Sequence, residues 1–413
     1  MLAINNFCNA FKQRSNVSEV AALLDETSDL FRTHLSNLDI LLQELDVKEY
    51  SIVHAHVFYH KISQTSPDLP EFNDLLNKIN EFITGCCKNQ IRTYYKYYLN
   101  MIQEICKKIP QCSFQFKGIE TIIAGLNKFQ KDNKELTPIH NNLVQLALYT
   151  KYFDEIIEVI DEDIMDLHKS VDAACYESFY YFGGMVYLAV KNFERAQYFF
   201  ELCLFNPTNN INRIIKETHK KFSLLTLLNG HFDRNIDKPL FSARLDRQLK
   251  DMFKMTYGEF ILAFNTKSHS KLCEIAETHR GLFENDLNYG LIKQCLKWHR
   301  EREILKLTKV YVSLSLSELT GILELTSNEE TEKILFSMIS RSIIDAKIDQ
   351  KNQIVNFSEN YESSDSVDIL QKLQEKMETC MKLQVGIQKL NDKMSLDANY
   401  LKKLVEKEMA SMK

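Results

Sequence analysis

Apolar residues along most of this chain recur at intervals of three and four, which places them on one face of an α-helix. Residues 1–130 repeat this pattern in short segments, interrupted by a proline-containing loop at 66–70. One such series is Val20, Leu23, Leu24, Leu30, Phe31, Leu35, Leu38, Leu41, Leu42 and Leu45. Because a short amphipathic helix buries its apolar face only against neighbours, the region predicts packed helical repeats.

A sequence repeat becomes visible in the middle of the chain. Three segments share a turn followed by a phenylalanine: residues 151–155, 191–195 and, more weakly, 230–234. The phenylalanines, Phe153, Phe193 and Phe232, recur about every 40 residues, and each lies between two apolar helical segments. This period predicts stacked helical hairpins of the tetratricopeptide (TPR) kind.

Residues 180–207 form the clearest of these predicted hairpins, with two short amphipathic helices joined at Lys191-Asn192. Small and aromatic residues fall at the offsets where the two helices must touch. The predicted packing residues are Gly183, Gly184, Tyr187, Phe193, Ala196 and Phe200. Gly183-Gly184 lies inside a helical pattern, so we expect it to permit close helix packing rather than the approach of a ligand.

The pattern changes after the helix predicted at 291–308. A short strand at 310–313 precedes two capping-box signatures, Ser315-x-x-Glu318 and Ser327-x-x-Glu330, and each opens a short helix. A hairpin follows, with strands at 343–348 and 353–357. This order is that of a winged helix, and we expect the hairpin to pair with a partner through unpaired strand groups. The predicted edge residues are Ile344, Ile348, Ile354, Val355 and Phe357.

A long helix is predicted after a polar link at 359–365. Its apolar stripe comprises Leu370, Leu373, Met377, Cys380, Leu383, Ile387, Leu390 and Met394. The stripe could fold back on the winged helix or associate with helices of partner subunits, and the second interpretation is favoured because no later domain covers it.

The predicted fold is therefore mainly α: a TPR-like helical-repeat solenoid, a winged-helix subdomain and a long C-terminal helix. The predicted boundaries are 1–130 for N-terminal helical repeats, 131–290 for TPR-like hairpins, 291–358 for the winged helix and 365–413 for the helical tail. With 11 glycines and 6 prolines in 413 residues, the composition agrees, since sandwiches and barrels need more turn residues.

Charge and cysteine content limit the classes of partner and the cellular compartment that the chain can have. The net charge of −5 provides no overall attraction to nucleic acid or to anionic lipid. The 10 cysteines form no CxxC pair and lie mostly in apolar segments, as expected in a reducing compartment. Neither a signal peptide nor a membrane span is expected from the apolar pattern.

One group of residues resembles a metal-binding motif, but the resemblance is weak. His54-Ala-His56 followed by Asp68 approaches the His-x-His…Asp arrangement of a zinc metalloprotease, but the aspartate is one residue too far along. Residues 54 and 56 of a helix also point to nearly opposite faces. We expect ordinary helix histidines, and no catalytic, metal or cofactor site.

The second capped helix of a winged helix often binds DNA. Here its leading turn carries Glu329 and Glu330, where contacts to phosphates and bases would need basic or amide side chains. A nucleic-acid-binding winged-helix protein is thus a lesser alternative.

A helical-hairpin array followed by a winged helix resembles the PCI-domain proteins of the proteasome lid, the COP9 signalosome and a translation initiation factor complex. Several segments resemble the subunit 3 family of the COP9 signalosome in particular: residues 35–39, 45–49, 137–140, 163–166, 181–187, 191–196, 288–296 and 305–309. The resemblance covers nearly the whole chain.

The resemblance implies a non-catalytic scaffold subunit of a hetero-oligomer. The signalosome removes a ubiquitin-like modifier from cullins (deneddylation) and so regulates cullin–RING ubiquitin ligases, and its isopeptidase centre lies in another subunit. Winged helices of such subunits pair edge to edge, and their C-terminal helices enter a shared bundle. The cysteine usage, the charge and the lack of a signal peptide or membrane span lead us to expect a location in the cytoplasm and nucleus, with no cofactor, nucleic acid or membrane bound. A scaffold subunit of the proteasome lid or of a translation initiation factor complex remains an alternative.

Overall fold

The structure, a computed structural model, describes residues 11, 17–33, 38–67, 70–112, 115–206, 211–229, 243–266, 268–357, 367–395 and 402. These residues are mostly helical, so the predicted mainly α fold is confirmed. The chain divides into two compact units, Met1–Arg300 and Glu301–Lys413.

The first unit is built from consecutive short helices. They are α1 (Val17–Thr33), α2 (Leu38–Glu44), α3 (Ser51–Gln64), α4 (Pro70–Gly85), α5 (Lys88–Thr93), α6 (Tyr95–Lys108), α7 (Gln115–Phe129), α8 (Pro138–Thr150), α9 (Asp154–Ile160), α10 (Ala173–Ala189), α11 (Phe193–Phe205), α12 (Arg213–Leu228), α13 (Ala243–Phe253), α14 (Glu259–Phe264), α15 (His269–Thr278) and α16 (Arg280–Asn285). A π-helical turn, Lys254–Gly258, joins α13 to α14. Helix α17 (Tyr289–Thr308) starts in the first unit and ends in the second.

Apolar faces of successive helices form several core clusters along the first unit. One cluster runs from α1 to α12, and a second surrounds Tyr257, Phe260 and Phe283. A short parallel pair, β1 (Glu135–Leu136) and β2 (Asp166–Leu167), links the segments before α8 and before α10. The core is therefore a row of helix contacts, as expected of stacked repeats.

Each of the two repeat turns that the structure describes contains a lysine in the left-handed region. Lys151 ends α8 and Lys191 follows α10, and both have φ of 62°, in the left-handed region. Phe153 and Phe193 then lie at the start of α9 and α11. The predicted third turn, at Phe232, lies outside the described residues.

The second unit contains the winged helix. Strand β3 (Ser313–Ser315) is followed by α18 (Leu316–Ile322), α19 (Asn328–Ser340), β4 (Ala346–Asp349) and β5 (Ile354–Phe357). The sheet is antiparallel with strand order β3-β5-β4. The predicted capping box is present at Ser315 and Glu318, and the Ser327 side chain accepts from the Glu330 amide.

The first strand starts later than the predicted 310–313. The amides of Val310 and Tyr311 both donate to the carbonyl of Leu307, so these residues continue the last turn of α17. Only Ser313 of the predicted segment belongs to β3. After the winged helix, α20 (Val367–Ser395) is a single helix of 29 residues.

Candidate assembly surfaces

The predicted packing glycines lie where α10 and α11 approach closely. A Cβ atom added at Gly183 would lie 2.7 Å from the ring of Phe199, and one added at Gly184 would lie 2.5 Å from the ring of Phe200. Both rings are buried in the first cluster. The two glycines therefore act as the flat surface against which the rings pack.

The other predicted hairpin residues support the same contact. Tyr187 and Ala196 are buried, and Phe193 is half-buried at the start of α11. The Tyr187 hydroxyl donates to a carboxylate oxygen of Asp161 at 3.1 Å. These contacts are internal packing between α10, α11 and the loop after α9, as predicted for the hairpin.

An ion-pair cluster that the sequence reasoning missed joins the loop after α9 to α11. Arg195 Nη2 lies 2.9 Å from Asp163 Oδ1 and donates to the carbonyl of Asp161 at 2.7 Å. The guanidinium also lies over the ring of Tyr198. The acidic loop is thus tied to the repeat by one arginine, a pairing that no local sequence spacing announces.

The prediction that β5 forms an unpaired edge of the winged helix is wrong. This strand pairs with β3 on one side and with β4 on the other, so its backbone groups are used in both directions. Val355 and Phe357 are buried in the core of the winged helix, as is Ile344. Ile348 and Ile354 are half-buried. The sequence indicated the hairpin and a short strand before it, but not that this strand pairs with β5 and makes β5 the centre of the sheet.

The outer strands of the described sheet are β3 and β4. Beside β4, an open groove is lined by α19 residues including Glu332 and Phe336 and by Ile348 to Lys351. The Phe336 ring is 70% exposed. Near β3, Val310 and Val312 are also exposed. These residues, rather than Val355 and Phe357, are available to a neighbouring protein.

The apolar stripe of α20 is exposed along its length. Leu370, Leu373, Met377, Leu383, Ile387 and Leu390 are between 44% and 65% exposed, and Cys380 is exposed as well. The side chain of Met394 lies outside the described residues. Two further apolar side chains on this helix, Met381 and Val385, were not part of the predicted stripe and are also exposed. The fold-back interpretation is wrong for these side chains, because the winged helix does not cover them.

The candidate metal histidines are buried in helix α3 and have other partners. His54 Nε2 lies 3.0 Å from the carbonyl of Leu45, and His56 Nε2 lies 3.3 Å from His60 Nε2. Burial lowers the pKa of His54, and burial together with His60 lowers that of His56 to about 3, so the His56 ring is neutral. Asp68 lies outside the described residues. Over the described parts of the chain, no group of three or more His, Cys, Asp or Glu side chains is arranged to hold a metal ion.

Two further properties bear on possible partners. The first turn of α19 is acidic, with Glu329 and Glu330, and Glu332 follows on the groove. Among the helices that the structure describes, none combines the length and apolar character that crossing a membrane requires.

Comparison with known proteins gives a consistent result along the chain. The family model for the N-terminal helical repeats of COP9 signalosome complex subunit 3 matches residues 14–236, and the PCI domain model matches residues 267–359. COP9 signalosome complex subunit 3 of Drosophila melanogaster is 28% identical over 97% of this chain and 94% of its own length. The protein of the same name from Dictyostelium discoideum is 27% identical over 95% of this chain and 93% of its own length.

The first matched region lies in the stacked helical hairpins, and the second covers α15 to α17 together with the winged helix. The resemblance seen in the sequence is confirmed, and the chain belongs to the COP9 signalosome subunit 3 family and contains a PCI domain.

Proposed function

We propose that this chain is a non-catalytic scaffold subunit of a COP9 signalosome. In this role it supports the removal of the ubiquitin-like modifier from cullins and so regulates cullin–RING ubiquitin ligases, in the cytoplasm and the nucleus. The observation that carries the proposal is the exposed apolar stripe of α20 in a member of this family. Monomeric proteins rarely expose a continuous apolar surface of this length, and such surfaces mark protein contacts.

The internal contacts of the described regions are those of a packed repeat array. Buried titratable side chains there serve packing or ion pairs, as with His56 beside His60 and Arg195 beside Asp163. A repeat array instead supplies a long surface held at fixed spacing, which is the property that a multi-subunit assembly uses. Deneddylation would then be carried out by a different subunit.

The winged helix provides a second proposed contact. Its outer strand β4 and the exposed Phe336 lie on one side, and β3 with Val310 and Val312 lies on the other. Unpaired strand edges accept a further strand through backbone hydrogen bonds. Two different edges allow this chain to have a different neighbour on each side.

Purification of the tagged full-length chain from cells, followed by mass spectrometry, tests the function. We expect recovery of the other signalosome subunits, including the one that carries the metalloprotease centre. Recovery of proteasome-lid or initiation-factor subunits in their place would contradict the proposal.

A truncation after Asp365 makes the test specific to α20. We expect this variant to lose the co-purifying subunits while the helical repeats stay folded, because the core clusters contain no residue of α20. Circular dichroism and a thermal melt of the truncated chain establish that it is folded. Undiminished co-purification would show that α20 is dispensable for assembly.

A further inference from the structure

Two histidines and a cysteine of the first unit form a hydrogen-bonded series that ends on a thiol. His269 and Cys273 lie four residues apart in α15, so they share one face of the helix. Cys273 Sγ lies 3.2 Å from His269 Nε2, and His269 Nδ1 lies 3.4 Å from His299 Nδ1 on α17. His299 Nε2 in turn lies 3.0 Å from the carbonyl oxygen of Thr266, in the turn after α14. The series therefore joins a backbone carbonyl to a thiol through two imidazoles.

The carbonyl end of the series decides where each proton lies. The two histidines are 7% and 1% exposed, and a buried imidazole is most stable in its neutral form, with one N–H. Because a carbonyl oxygen only accepts, His299 Nε2 carries the proton and donates to Thr266, and His299 Nδ1 accepts from His269 Nδ1. His269 Nε2 then has no proton, and the thiol of Cys273 donates to it. The backbone thus fixes His269 as a base that faces the thiol.

This arrangement is the one that activates a cysteine. A thiol reacts as its thiolate, and a neighbouring base that a third group orients makes the thiolate available. The Phe264 ring packs edge-on against the His299 ring, with 5.2 Å between their centroids, and holds the orienting group in place. Cys273 itself is only half-buried, so a small molecule in solvent reaches the sulfur.

Other cysteines of the chain provide a comparison. Burial raises the pKa of the Cys86 thiol to about 11 and that of Cys203 to about 12, and it also raises the pKa of Cys295. Such buried thiols are inert. Cys380 is exposed on α20. Accessibility alone therefore ranks Cys380 above Cys273 in reactivity, whereas activation by His269 ranks them in the opposite order.

We propose that Cys273 is a site of covalent modification by electrophiles of the α,β-unsaturated carbonyl class. His269 Nε2 takes the thiol proton, and the sulfur adds to the β-carbon of the electrophile, where an S–C bond forms and the C=C π bond breaks. The electron pair moves into the enolate, and the proton passes from His269 Nε2 to the α-carbon. Atoms and charges balance without an oxidant or a leaving group. One imidazole supplies both the base and the acid that the addition requires.

N-ethylmaleimide belongs to this class of electrophile and serves as the probe. The full-length chain is treated with a limiting amount for increasing times and digested, and the labelled fraction of each cysteine is measured by mass spectrometry. We expect Cys273 to be labelled about tenfold faster than Cys380, although it is less exposed. A labelling rate of Cys273 equal to or below that of Cys380 would overturn the proposal, because accessibility alone produces that order.

Three variants test the role of the two histidines. His269→Gln removes the base, since an amide does not take up the thiol proton. His299→Leu removes the acceptor for His269 Nδ1, whereas His299→Gln keeps both a carbonyl oxygen and an N–H. We expect the first two variants to slow the labelling of Cys273 to the rate of Cys380, and His299→Gln to retain more of it. Equal labelling of Cys273 in the unaltered chain and in all three variants would contradict activation by the histidines.

Cys295 reports whether each variant is folded, because it is buried in the second core cluster. Labelling of Cys295 would reveal unfolding, so variants are compared only where this cysteine stays unlabelled, and the rate of Cys380 should not change. The order of Cys273 and Cys380 in the unaltered chain decides the proposal even if a variant unfolds. This site does not depend on the scaffold function.

Discussion

The contact between α10 and α11 can be tested by adding one methyl group. In Gly184→Ala, the new Cβ would lie 2.5 Å from a carbon of Phe200, whereas carbon atoms in contact are about 3.5–4.0 Å apart. Relief therefore requires a movement of about 1 Å by the ring or by the helix. The Phe200 ring is buried in the first cluster and cannot move into solvent.

The expected magnitude follows from two opposing effects. Overpacking of a well-packed core costs about 1–3 kcal/mol, and replacing a helical glycine by alanine returns about 1 kcal/mol. Because a contact of 2.5 Å is severe, the cost lies at the upper end of this range, and we expect Gly184→Ala to lower the free energy of unfolding by about 2 kcal/mol. Gly183→Ala should act in the same direction through Phe199.

Urea unfolding followed by circular dichroism measures the effect, with Gly281→Ala as the matched control. Gly281 lies in helix α16 of the same unit, and a Cβ there meets nothing within 4 Å. The control should therefore unfold at the same urea concentration as the unaltered chain, or slightly higher. Combining Gly184→Ala with Phe200→Leu should cost less than the sum of the two changes, because the smaller side chain relieves the clash. A Gly184→Ala protein as stable as the control would refute the close approach of the helices.

Three further predictions concern other contacts. Arg92 makes two hydrogen bonds of 2.7 and 2.8 Å to the buried carboxylate of Glu135. Arg92→Leu should therefore lower the free energy of unfolding, measured in urea, by about 3 kcal/mol, and the double variant with Glu135→Leu should regain part of this loss. Burial tends to raise the pKa of Glu135, but the hydrogen bonds from Arg92 and from the Lys131 amide hold this pKa below its ordinary value of 4.5. The stability that these bonds provide is complete above pH 4.5 and is lost as the pH falls through the lowered pKa. The free energy of unfolding of Arg92→Leu, measured against pH, should lack this decrease at acidic pH. Lys191→Gly should raise the melting temperature, since the left-handed conformation costs a lysine about 1 kcal/mol more than a glycine, and an unchanged or lower value would contradict the assigned φ of 62°. Val355→Lys should unfold the winged helix because Val355 is buried in the central strand. Phe336→Glu should leave the thermal melt unchanged and reduce the recovery of partner subunits, because Phe336 is exposed. The opposite pair of results would indicate that β5 is the binding edge after all.

Helical periodicity and turn chemistry predicted the parts of this fold that depend on local sequence. The repeat at Lys151 and Lys191, the capping box at Ser315 and the helix that contains Leu370 to Leu390 all follow from residues close together in the chain. The glycine pair at 183–184 was also recognisable, because two adjacent glycines are tolerated in a helix only where something packs closely against them.

The sequence could not show which strand would be central. The order β3-β5-β4 depends on Ser313–Ser315 reaching a strand about 40 residues later, and no local pattern specifies that pairing. Phe336 was missed for a related reason, since its exposure is decided by which face of α19 packs on the sheet. Met381 and Val385 were missed because the predicted stripe follows one face of α20, and these two residues lie outside it.

The exposed length of α20 has a consequence for the cell that makes this chain. A newly synthesised copy without partners presents a row of leucines to every other protein, and such a surface favours aggregation and capture by chaperones. Copies made in excess of their partners would be removed by quality control. Under the proposed function, the side chains that join this chain to its partners therefore also limit how much of it persists alone.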